Sequence, residues 1–94
     1  MKYSKDKYSF SHFEISHRKN KKYDAVLTNN KTGRYVYVPF GDLSYEHFHD
    51  KALGEYSDLN HYDSKRRKAY RARHKKDIDP NFYSAGNFAI KFLW

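Results

Sequence analysis

Apolar and polar positions alternate with a period of two through the first half of the chain, and a helical period replaces it in the second. Tyr8 to Arg18 predicts a first strand, with Phe13, Ile15 and His17 on one face and Tyr8, Phe10, His12 and Glu14 on the other. The alternation there is imperfect. A charged turn, Arg18-Lys19-Asn20-Lys21-Lys22, leads to a second strand from Lys22 to Thr28. In it Tyr23, Ala25 and Leu27 alternate against Asp24, Val26 and Thr28. Asn29-Asn30-Lys31-Thr32-Gly33 reads as a hairpin turn, because Asn and Gly tolerate the positive φ that such turns require. Arg34 to Phe40 is the third strand, with Val36, Val38 and Phe40 opposing Tyr35 and Tyr37. Pro39 has no N–H to donate, so this strand lies at a sheet edge or ends there.

Gly41 to Asn60 follows no period. It is acidic and aromatic, and it reads as a loop with one helical turn near Tyr45 to Asp50. Asp63 or Ser64 can N-cap a helix running to about Lys76, where Asp77-Ile78-Asp79-Pro80 ends it. Arg66, Tyr70, Arg73 and His74 share one face of that helix. Ala69, Ala72 and Lys65 share another, and the two alanines permit close approach to the sheet. From Phe82 to Trp94 the apolar positions Ala85, Phe88, Ala89, Phe92 and Leu93 have amphipathic helix spacing, with Ser84 as N-cap. The predicted fold is α+β: a three-stranded antiparallel meander, a basic helix across it and a short apolar C-terminal helix.

Composition narrows this further. A chain of 94 residues accommodates one domain with a modest core. Residues 1–7 read as a basic arm and residues 8–94 as the domain. Ten Tyr and seven Phe do most of the apolar work, and more Tyr are present than so small a core can enclose. Some are therefore expected at a binding surface. The absence of Cys excludes disulfides and thiolate metal sites. No apolar run approaches the length of a membrane span, so no membrane partner is expected. A net charge of +8 points to an acidic partner, either nucleic acid or an acidic protein surface. Between Asn60 and Lys76 lie eight of the nineteen Lys and Arg residues, against one acid, Asp63.

An ordered set of residues runs through the second half of the chain. Phe40-Gly41 follows a strand, and His61-Tyr62-Asp63 comes next. Arg67, Tyr70, Arg73 and His74 follow, and then the tail from Tyr83-Ser84-Ala85-Gly86 to Phe92-Leu93-Trp94. In these residues about half the chain resembles a small uncharacterised protein family of tailed phages and large eukaryotic DNA viruses. The stretch from Gly41 to His61 looks longer here than in that family. The resemblance implies a viral origin and a structural or genome-associated role. It implies no particular activity.

The basic helix is the first candidate for function. Lys65, Arg66, Lys68, Arg71, Lys75 and Lys76 suit contact with phosphates or an acidic neighbour, and neutralising phosphates releases counterions. Tyr62 and Tyr70 are placed to stack on bases. The plain alternative is a solvated helix face. Asp63, Arg67, Tyr70, Arg73 and His74 form a second set. Asp63 with Arg67, and Tyr70 with His74, have the spacing of helix-surface pairs. They read as a network fixing the helix on the sheet, with Arg73 and His74 as an alternative recognition pair for an anion.

His47-x-His49 and His61-x-Asp63 are too generic to imply a metal, and no cofactor is expected. His61, Asp63 and Arg67 lack a nucleophile-activating pair, so the chain is not expected to be an enzyme. Phe92, Leu93 and Trp94 either complete the core or insert as anchors into a neighbouring subunit. The function expected is a viral structural protein, a minor capsid or connector component that touches other virion proteins. It would reside in the virion after assembly from the host cytoplasm. The alternative is a viral nucleic-acid-binding accessory protein with DNA as partner.

Overall fold

The computed structural model describes residues 2–94. Its elements are β1 (Tyr3–Ser4), β2 (Tyr8–Ile15), β3 (Lys21–Asn29), β4 (Tyr35–Asp42), α1 (Ser64–Arg73), β5 (Phe82–Tyr83) and α2 (Ala85–Phe92). The fold is α+β. β2, β3 and β4 form the antiparallel meander, with β3 in the centre and Pro39 on an edge strand. The hairpin after β3 closes as its residues require. Asn29 Oδ1 accepts hydrogen bonds from the Lys31 and Thr32 amides, and Gly33 takes φ +74°.

The inner face of the sheet carries Tyr23, Ala25 and Leu27 beside Phe40, Val38 and Val36. α2 lies on that face. Phe88, Ala89 and Leu93 join the sheet residues in one cluster. Phe88 stacks on Phe40 at 5.6 Å and meets Phe13 at 6.0 Å. Burying a side chain of this size contributes about 1.5–3 kcal/mol. Ser84 caps the helix by accepting from the Asn87 amide at 3.2 Å.

The imperfect alternation of β2 has a structural cause. Its register slips between Phe10 and His12, leaving Ser11 unpaired in a bulge. Phe10 then falls opposite Leu27 and Phe13 opposite Ala25, both on the core face, with ring centroids 4.8 Å apart. Strict period-two alternation would place these two rings on opposite faces.

Residues 1–7 were read as a basic arm; Met1 lies outside the described residues, and the rest of the segment is tied to the chain's own C-terminal part. Tyr3 and Ser4 pair with Tyr83 and Phe82, and Tyr3 packs edge-on against Tyr8 at 5.0 Å. Tyr45 to Asp50 forms no helical turn; the short 3-10 turn lies at Ser57–Leu59 instead. α1 does not cross the sheet and does not reach Lys76. It ends at Arg73, and Lys75–Asp77 continues as a separate 3-10 turn. Ala69 and Ala72 face solvent; Arg67, Tyr70, Arg71 and His74 form the inward stripe. The alanines offer little area to bury, whereas long side chains reach the C-terminal end of α2.

Candidate binding surface around the basic helix

α1 begins where Asp63 accepts hydrogen bonds from the Lys65 and Arg66 amides at 3.0 and 3.2 Å. Tyr62, just before it, holds a left-handed backbone at φ 52°. The Asp63 amide in turn donates to His61 Nδ1 at 2.9 Å. Asp63 is therefore a cap. Among the described residues it makes no ion pair with Arg67, although the spacing suggested one.

Arg67 turns inward. Its Nε donates to the main-chain oxygen of Trp94 at 2.7 Å, and its guanidinium lies over the Phe48 ring at 4.8 Å. Arg71 Nε donates to the same oxygen at 3.1 Å. Tyr70 stacks nearly parallel on Trp94, with centroids 4.2 Å apart, and His74 covers the ring again at 4.2 Å. Both faces of Tyr70 are thus covered, so it cannot stack on a base. Burial, with Asp77 nearby, pushes its phenol up. His74 Nδ1 pairs with Asp77 at 3.0 Å. Arg67, Tyr70 and His74 were expected to fix the helix on the sheet; their contacts instead hold α1 against Trp94, at the end of α2, and against Phe48. Arg73 stays outside this network, exposed.

Phe92, Leu93 and Trp94, the expected anchors for a neighbour, pack within the chain. Leu93 is 1% exposed. Phe92 meets Phe13 at 4.8 Å. Trp94 sits between Tyr70 and His61, whose ring lies 5.1 Å away. The loop after β4 wraps this end: the Phe48 and His49 amides donate to Leu93 O, and the Lys51 amide to Phe92 O.

A second cluster was not visible in the sequence. Lys22 is 2% exposed, and its Nζ donates to Tyr45 O at 2.8 Å and to His47 Nδ1 at 2.9 Å. His47 Nε2 meets Asn60 Oδ1 at 2.6 Å. Both ring nitrogens of His47 are thereby engaged, which removes it as a metal ligand. Burial, then the Lys22 charge, pushes the His47 imidazole down. Asp50 accepts from the Tyr23 hydroxyl and from the Ala52 and Tyr56 amides. This chain of hydrogen bonds ties the acidic loop to β3. No spacing signals it, because each member pairs across distant sequence.

Between α1, the end of β4 and the start of α2 lies a cleft of about 610 Å³. Phe40, Gly41, Tyr70, Arg73, Gly86 and Trp94 line it. Two glycines are sterically required. A Cβ on Gly41, at φ +77°, would meet Leu93 at 2.9 Å, and one on Gly86 would meet Asp77 at 2.9 Å. Arg66, at the rim, is paired with Glu46 at 2.9 Å. That hydrogen bond holds the Glu46 carboxyl below its usual range.

The exposed charge of this region is therefore Lys65, Lys68, Arg73, Lys75 and Lys76, none of which forms an ion pair among the described residues. Arg66 and Arg71, expected on the same surface, are engaged with Glu46 and Trp94. No helix among the described residues is long and apolar enough to cross a membrane. Comparison with family models, curated proteins and solved structures finds no match to this chain.

Proposed function

We propose that this chain is a viral structural protein, a minor capsid or connector component that stabilises contacts between larger virion subunits. One observation carries the reading. α1 is clamped on its inner side to Trp94, while Lys65, Lys68 and Arg73 on the helix and Lys75 and Lys76 in the turn after it are exposed and have no acidic partner among the described residues. Such a cluster of unpaired cations suits an acidic patch on a neighbouring subunit, where placement matters more than raw affinity. The resemblance to phage and large-virus proteins supports the viral setting. Since Phe92, Leu93 and Trp94 are occupied internally, the contact falls to α1 and to exposed side chains beside it such as Tyr45 and Tyr62.

Quantitative mass spectrometry of purified particles tests this reading. The chain should appear at fixed stoichiometry with the major subunits, and its absence removes the proposal. The same unpaired cations favour a second reading, a nucleic-acid-binding accessory protein. That protein would bind generic DNA when purified alone, with affinity falling steeply as salt rises. On neither reading is the chain an enzyme.

A further inference from the structure

The sheet has a second face, which α2 does not cover. Across it, in register, run His12, Val26 and Tyr37, with Thr28 and Tyr35 in the next row. Tyr35 is 55% exposed and Tyr37 47%, while Val26 between the strands is fully buried. The two tyrosines stand on one strand two residues apart, a separation of about 7 Å. His12 meets Tyr35 edge-on at 6.2 Å and narrows the freedom of that ring.

Cations lie at both ends of the sheet. The β3–β4 turn, beside Tyr35, carries Lys31 and Arg34, and the β2–β3 turn at the opposite end, about 17 Å along the strands from Tyr37, carries Arg18 and Lys19. None of the four forms an ion pair among the described residues. The two acids of the face are engaged locally. Asp24 is buried and accepts from Ser16 Oγ at 2.6 Å, and Glu14 pairs with His12 at 2.8 Å. An open row of flat rings between two unpaired cationic turns matches a flexible polyanion that carries flat groups of its own. Bases in a duplex are already stacked and cannot meet the rings.

We infer that this outer sheet face binds single-stranded nucleic acid, with bases stacking on Tyr35 and Tyr37 and phosphates meeting Arg18, Lys19, Lys31 and Arg34. The site is separate from α1, so it stands even if the chain proves absent from particles.

The test uses the purified full chain and fluorescent oligothymidylate of about twelve nucleotides, a length within the range such surfaces occupy. The matched duplex is the control. Wild type should prefer the single strand. The Tyr35→Ala/Tyr37→Ala variant should lose about ten- to a hundredfold in single-strand affinity, and Tyr35→Phe/Tyr37→Phe should retain it. Circular dichroism checks that each variant is folded. Amide shift mapping on wild type supplies a readout independent of mutation, with shifts expected at residues 35–37 and at His12. The proposal is overturned by equal duplex binding, by an unchanged alanine variant, or by shifts confined to α1. Self-association through this face in sedimentation, blocked by the alanine pair, also overturns it.

Discussion

The two helices of this chain are similar in length, ten residues in α1 and eight in α2, yet they are stabilised in opposite ways. α2 buries Phe88, Ala89 and Ile90 and packs directly on the sheet. α1 buries no residue fully. It has a strong cap and one inward stripe, and that stripe meets the end of α2. α1 is therefore a dependent element: its position is set by Trp94, and Trp94 is set by α2. Packing against a covered aromatic core and clamping by a few polar contacts leave very different reserves of stability.

The comparison can be broken or sharpened by substitution. Phe88→Ala should have the largest effect, a loss of about 3–5 kcal/mol in urea unfolding, because the cavity opens between both layers. Both helices should melt with it. Gly41→Ala should cost about 2–4 kcal/mol, since the new Cβ meets Leu93 and the backbone is left-handed.

Tyr70→Ala should cost about 1–2 kcal/mol and act on one side only. Amide exchange should speed up in α1 while β3 stays protected. Loss of protection in β3 as well would show that the two helices are not ranked as argued.

A pH series reads the acidic loop, and through His61 the start of α1. Burial, with Lys22 close by, lowers the His47 proton affinity below its ordinary pKa of 6.5, and burial lowers that of His61, beside Asp63 and Trp94, in the same direction. The unfolded chain then binds more protons below that pH. Stability should be complete above about pH 6.5 and fall as pH drops towards 5. His47→Gln should flatten that slope. Asp50, whose pKa is lowered from 3.8, takes up its proton outside this window. Smallest of all, Lys68→Glu should change stability by less than about 0.5 kcal/mol, while weakening any acidic partner.

Much of the fold was legible along the chain. The Asn29 hairpin and the Asp63 and Ser84 caps rest on interactions within a few residues, and the meander joins strands that are consecutive in the chain through short turns. Where a reading needed two distant segments at once, it went astray. The Ser11 bulge appears only when β2 is laid against β3. The partners of Arg67 lie at Phe48 and Trp94, nineteen and twenty-seven positions away. Tyr3 is ordered by Tyr83.

Local sequence determined that this chain would hold a three-stranded sheet, an apolar helix and a rod of positive charge. Only the tertiary structure decided which way the rod turned. Hydrophobic spacing says how wide a buried stripe is, but not which surface accepts it. For a helix with no apolar stripe, the aromatic end of another element makes the choice.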